Sequence, residues 1–199
     1  MSAFSTIDPA KLPRHLDSTE AETRWHAAWQ EAGIYHWDES RPRSETFVVD
    51  TPPPTASGSL HIGHVFSYSH TDILVRYQRM RGRNIFYPLG WDDNGVPTER
   101  RVQNLFHVRC DPTLPHDPDL EIAPATAKIR KKAPRVVSRR NFLDLCNAVT
   151  VEDEKSFLEL FERLGLSVDW RTEYTTIGER CRTLAQRSFL DLFEKGHVY

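Results

Sequence analysis

Thr46-Phe-Val-Val-Asp50, then Thr51-Pro-Pro-Pro-Thr55, then Ala56-Ser-Gly-Ser-Leu-His-Ile-Gly-His-Val-Phe66, is the stretch on which the fold turns. The β-branched and aromatic run over 46–50 predicts a buried strand. Pro52 to Pro54 end it, because each proline fixes φ and removes a backbone donor. From about Leu60 a helical pattern begins: Ile62, Val65, Phe66, Ile73, Tyr77 and Met80 are its apolar positions, and Gly82 is its stop. Asn84-Ile-Phe-Tyr-Pro-Leu89 predicts a second strand, opening into Gly90-Trp-Asp-Asp-Asn-Gly95. Pro97 suits the first turn of another helix, over about 97–106. This order of strand, turn, long helix, strand, turn and helix predicts an α/β fold, a parallel sheet with crossover helices. Ligands of such sheets bind at the carboxyl ends of the strands, where the two oddest stretches, 52–64 and 90–98, fall.

Outward from this unit, Thr19 and Glu22 form a capping box for a helix over 20–32, with Gly33 as its stop. Trp25, Ala28, Trp29 and Ala32 share one face, which predicts a packing helix laid over a larger body. The expected division is a helical appendage at 1–45 and a main domain at 46–199. Five prolines between 111 and 140 predict an irregular surface insertion. Within it, an acidic patch from Asp111 to Glu121 precedes Lys128 to Arg140, which holds seven basic residues and no acidic one. That run is either a solvated face or an RNA-facing contact. Two amphipathic helices follow, one over 151–164 capped by Thr150 and one over 179–195 stopped at Gly196.

Composition narrows the class. The chain has 199 residues, 39% hydrophobic and 27% charged, with a net charge of −2. That supports a packed core and rules out a global basic field. No apolar run approaches the ~20 residues of a membrane span, and the N-terminus lacks the apolar core of a signal peptide. Cys110, Cys146 and Cys181 are odd in number and form no C-x-x-C pair, which argues against a disulfide framework and a zinc site. The expectation is a reduced, cytoplasmic protein with no membrane and no DNA partner.

Gly58-Ser-Leu-His-Ile-Gly-His64 sits at the strand-to-helix turn. His61 and His64, three apart in the first helical turn, point the same way beside unpaired backbone N–H groups and the positive end of the helix dipole. Such a place favours an anion, and imidazole N–H donors suit phosphate oxygens whose charge grows in a transition state. Gly63 leaves room for a flat base or ribose. Rival readings are a metal pair, for which no third ligand has a supportive spacing, and a simple helix cap. A P-loop would share the spacing of Gly58 and Gly63, but His64 and Val65 stand where it needs lysine and a hydroxyl. In the second stretch Asp92 could pair with a ligand ammonium, or Asp92-Asp-Asn-Gly95 could be a turn bonding its own backbone.

The segment Pro52 to His64 resembles the signature of class I aminoacyl-tRNA synthetases, including its H-I-G-H element. The spacing to Gly90-Trp-Asp-Asp-Asn-Gly-Val-Pro-Thr-Glu99 resembles the branch that handles valine, isoleucine and leucine. Ser138-Arg-Arg-Asn-Phe142, Leu164-Gly-Leu-Ser-Val-Asp-Trp170 and Phe193-Glu-Lys-Gly-His-Val-Tyr199 agree with it. Asp93, Asn94 and the following Arg100-Arg-Val-Gln-Asn104 look most like one subgroup of the valyl enzymes. The resemblance implies a Rossmann-type catalytic domain that activates valine with ATP, used as its magnesium complex, to valyl-adenylate with release of pyrophosphate, and passes the aminoacyl group to tRNA(Val). His61 and His64 would be catalytic. Thr55, Gly58, His61, Gly63 and His64 would bind ATP, and Pro53, Pro54 and Asp92 would bind the amino acid; no metal site of its own is implied. The family's second ATP loop, K-M-S-K-S, has no match, for Lys128-Ile-Arg-Lys-Lys132 has neither its serines nor its position. The resemblance therefore implies the N-terminal portion of a synthetase, inactive by itself. A non-catalytic synthetase-like chain and the isoleucyl or leucyl member of the branch are the alternatives.

Overall fold

The run at 46–50 becomes strand β1 (Thr46–Val48) in a computed structural model that describes residues 8–11, 14–15, 17–56 and 60–198. β1 pairs in parallel with β2 (Asn84–Phe86), Thr46 opposite Asn84 and Val48 opposite Phe86. β3 (Gly90–Trp91) continues the β2 segment and pairs in parallel with β6 (Tyr174–Thr175). Between β2 and β3 lies Pro88, which has no N–H to give, so the expected strand over 84–89 is split there. Further backbone bonds from Asp169 N to Tyr87 O, Tyr174 N to Leu89 O and Thr176 N to Trp91 O carry the third segment along the same edge. The 84–92 segment is thus the middle of a parallel sheet, with 46–56 on one side and 169–176 on the other.

Helix α1 (Ser18–Ala32) is capped by Asp17, whose side chain accepts from Glu20 N, rather than by the expected Thr19. Gly33 ends it in the left-handed conformation, φ 59°. Trp29 lies against Gly165, while Trp25 stays half exposed. Helix α2 (Ile62–Met80) crosses from β1 to β2 and buries Tyr68, Asp72 and Val75. Among the expected apolar positions, Ile62, Phe66, Ile73, Tyr77 and Met80 are exposed. The helix is apolar on more than one face, and the sheet takes the face carrying Asp72. That carboxylate is buried only because Ser167 N and Oγ (2.7 and 2.6 Å) and Arg76 Nε (2.7 Å) donate to it. β1 also differs from expectation. Phe47 and Val48 are exposed: successive side chains point to opposite faces of the sheet, and at these two positions neither face is covered by the described residues.

Helix α3 (Val96–Phe106) carries Pro97 in its first turn and ends at His107, φ 54°. The tract at 111–140 is irregular only in part. β4 (Val108–Asp111) and β5 (Arg135–Ser138) form a parallel pair, with the short turn Ile129–Lys131 between them. The expected helix at 151–164 is the second half of α4 (Arg139–Arg163). Ser138, not Thr150, caps it, its Oγ accepting from Asn141 N at 3.2 Å. Thr150 is buried inside the helix and donates to Asn147 O at 3.1 Å. α5 (Glu179–Glu194) follows, with Gly196 beyond it at φ 73°. Val102, Val108, Val137, Phe142, Cys146 and Val149 make one core between α3, α4 and the β4–β5 pair. The larger core joins sheet residues Val49, Ile85, Tyr87, Leu89 and Trp91 to Phe157 and Phe161 of α4. This second half of α4 braces the turn at the start of α2.

Candidate active site

The cleft at the carboxyl end of β1 is about 390 Å³, walled by Thr51, Pro52, Pro53, His61, Gly63, His64, Ser67, Tyr68 and Thr71. Its geometry follows from the start of α2. His61 is the N-cap residue, and its Nδ1 accepts from Gly63 N at 3.1 Å. His64 reaches back, its Nδ1 accepting from His61 N at 3.3 Å. A nitrogen that accepts from a backbone N–H carries no proton, so in each neutral ring the proton sits on Nε2. The capping reading and the anion reading are therefore one arrangement: capping uses Nδ1 and leaves both Nε2–H groups as donors. The ring centroids are 4.0 Å apart.

Burial and then the nearby His61 charge hold the His64 pKa below the ordinary histidine range, so at neutral pH it is an uncharged donor. Phe157 of α4 stands edge-on to His64, centroids 5.2 Å apart, and is itself locked against Trp91 and Phe161. A side chain at Gly63 would meet the His61 ring at 2.8 Å. The glycine is thus required by the folded-back imidazole. Tyr68 closes the floor, its hydroxyl donating to Pro52 O at 2.8 Å.

Asp92 is not a wall of this cleft but stands one backbone bridge away. Thr55 and Asp92 pair in parallel, Asp92 N donating to Pro54 O at 2.8 Å and Ala56 N to Asp92 O at 2.9 Å. Pro54 is buried, with its carbonyl committed to that bridge, while Pro53 faces the cleft. The Asp92 carboxylate takes hydroxyl bonds from Thr55 at 3.4 Å and from Thr176 at 3.1 Å. Two neutral hydroxyls orient the charge without neutralising it, and no cation pairs with it among the described residues. Thr176 and Phe157 were not among the sequence candidates. Gly58, which was, lies outside the described residues.

Behind Asp92, Asp93 is buried, and no N–H or hydroxyl donor reaches either carboxylate oxygen. Its partner is the carboxyl of Glu154 on α4. Burial, the Asp93 charge and their shared hydrogen bond push the Glu154 pKa up to about 7, and burial raises Asp93 as well. Asp92 and Glu173 are the other carboxylates that bear on the pair. The pair holds a proton that the unfolded chain would release. Stability from this group is full at low pH and is lost as pH rises through about 7. The melting temperature of Glu154→Gln should therefore change less between pH 5 and pH 8 than that of the parent. Parallel profiles in thermal scans across that range would remove the shared proton.

Residues 24–112 and 119–199 match the family of tRNA synthetases class I (I, L, M and V). The chain belongs to this family. Among curated relatives, a valine–tRNA ligase from Thermobifida fusca is 56% identical over 184 residues, covering 92% of this chain and 20% of that protein. A valine–tRNA ligase from Salinispora tropica is 54% identical over 188 residues, covering 94% of this chain and 21% of that protein. The chain spans about a fifth of the length of these relatives. The ternary complex LeuRS–tRNA–LeuAMS of Agrobacterium radiobacter K84 superposes with a TM-score of 0.67 at 27% identity, over 93% of this chain and 19% of that one. The parallel α/β arrangement is thus that of a class I synthetase catalytic domain. No helix of the described residues is long and apolar enough to cross a membrane, and no group of three or more His, Cys, Asp or Glu among them could hold a metal ion.

Proposed function

We propose that this chain forms the MgATP- and valine-binding part of a valine–tRNA ligase working in the cytoplasm. The observation that carries the reading is the pair of outward Nε2–H donors fixed at the N-terminus of α2, one strand away from an unpaired carboxylate. In the reaction the carboxylate of valine attacks the α-phosphorus of ATP, the bond to the bridging oxygen breaks, and magnesium pyrophosphate leaves. The ribose hydroxyl at the tRNA(Val) 3′ end then displaces AMP from the valyl-adenylate.

His61 and His64 donate to phosphate oxygens as their charge grows, and the dipole of α2 adds to the same field. His64 is suited to this because it is neutral and braced by Phe157. Gly63, a wall of the cleft, would lie against the nucleotide, and the family resemblance adds Thr55 and Gly58 to that role. Pro53 would shape the pocket for the isopropyl group, with the buried Pro54 fixing the turn behind it. Asp92 receives the α-ammonium, held in place by Thr55 and Thr176.

Amino-acid-dependent ATP–pyrophosphate exchange by the complete gene product tests this. Exchange should be fastest with valine, and slower with isoleucine or leucine at equal concentration. Exchange driven best by isoleucine or leucine would move the assignment to another member of the branch. No exchange with any of the three would overturn the ligase reading.

A further inference from the structure

The thirteen residues Lys128–Arg140 hold seven cations and no carboxylate, in a chain whose net charge is −2. All seven are exposed, and none pairs with a carboxylate among the described residues. Arg109, exposed on the neighbouring strand β4, adds an eighth. Their backbone is well tied. His107 Nε2–H donates to Lys132 O at 2.8 Å, Arg135 N donates to His107 O at 3.0 Å, and β5 lies in register with β4. Arg139 and Arg140 occupy the first turn of α4, which holds no acidic residue. Cations there oppose the helix dipole, so their placement works against folding and calls for an anion from outside.

We infer that this ordered cationic ribbon is a contact for the phosphate backbone of RNA. A single small anion would leave most of its charges unused, whereas a polyanion with regularly spaced phosphates matches a row of unpaired cations. Its position fits an RNA whose end enters the cleft. From Arg140 to Phe157, which touches His64, α4 advances 1.5 Å per residue, about 26 Å. The inference rests on the ligase reading for which RNA is bound, tRNA(Val), and for the entry of its end into the cleft; the exposed, unpaired charge of the ribbon does not depend on it.

The test is the variant Arg130→Ala, Lys131→Ala, Lys132→Ala in the complete gene product. Binding of a labelled tRNA(Val) transcript is followed by fluorescence anisotropy between 50 and 400 mM KCl. Affinity at 100 mM salt should fall about tenfold or more. The slope of log K against log [salt] should become shallower by about 2–3, since each lost duplex contact removes about 0.9. Valine-dependent pyrophosphate exchange should stay within twofold of the parent. If the triple variant melts lower, Lys131→Gln with Lys132→Gln, outside β5 and α4, should still make the slope shallower by about 1–2. An unchanged affinity and slope beside normal exchange would overturn the ribbon and leave the ligase reading standing. RNA binding that the variant loses, in a parent with no exchange activity, would keep the ribbon and remove the ligase reading.

Discussion

Replacing His64 by alanine slows valine-dependent ATP–pyrophosphate exchange by about 10²–10³-fold, the usual consequence of deleting one donor aimed at a developing phosphate charge. Two contacts disappear together. His61 N loses its acceptor at 3.3 Å, and the Nε2–H donor is removed. The first is a capping bond, worth on the order of 1 kcal/mol, and its loss should appear as a modest fall in melting temperature. The second is the larger effect, and it should leave ATP affinity almost unchanged because the charge it meets is greatest in the transition state. His64→Asn restores an amide donor on a shorter side chain and should recover part of the rate. Exchange by the alanine variant within twofold of the parent would take the imidazole out of the mechanism.

How much of this is legible in the sequence depends on the range of the interaction. The turn at Pro52–His64 was legible because its signals are local: three prolines end a strand, and helical spacing resumes at Ile62. That 52–64 and 90–98 meet at one sheet edge followed from topology, since two parallel strands joined by a helix bring their carboxyl ends together. The backbone bridge from Thr55 to Asp92 is visible only in the structure. Thr176 was invisible for the opposite reason. It lies 84 residues from Asp92, and nothing in Tyr174-Thr-Thr-Ile-Gly178 marks the hydroxyl that the β3–β6 pairing carries to the carboxylate. Phe157 looked like any core aromatic on an amphipathic helix, and only packing shows that it fixes His64.

Thr150 misled because threonine is a good cap in isolation; at 2% exposure and bonded to Asn147 O, it is held in mid-helix by its neighbours. The strand at Arg135–Ser138 was hidden inside a proline-rich, highly charged tract. Its pairing with Val108–Asp111 spans an intervening segment that has no strand pattern of its own. Periodicity also misjudged α2. Its apolar residues lie on several faces, and the buried face is the one carrying Tyr68 and Val75, where Asp72 is tolerated because Ser167 and Arg76 satisfy it.

Asp92→Asn should raise the KM for valine by about 30- to 10³-fold, the range for losing the charge of one partner in a desolvated ion pair. The fold should survive. The bridge to Pro54 and Ala56 uses only the backbone of residue 92, and an asparagine can still accept from Thr176 while its amide donates to the Thr55 hydroxyl. The substitution therefore keeps the shape and removes the charge that would hold the α-ammonium. ATP affinity should stay within a few-fold, because the cleft walled by His61 and His64 does not include Asp92. Thr176→Val supplies the graded comparison. It deletes a hydroxyl that donates to Asp92 at 3.1 Å and accepts from Asp93 N at 3.2 Å, so the carboxylate keeps its charge but loses its aim. Its effect on valine KM should be smaller, about three- to tenfold, because the charge remains and only one of the two hydroxyls that orient it is lost. Exchange kinetics with valine and ATP varied separately distinguish the cases. An Asp92→Asn enzyme with unchanged valine KM but collapsed ATP binding would show that the carboxylate serves the nucleotide. Equal losses in both variants would mean that Asp92 acts through its place in the Thr55–Asp92–Thr176 hydrogen-bond chain rather than through its charge.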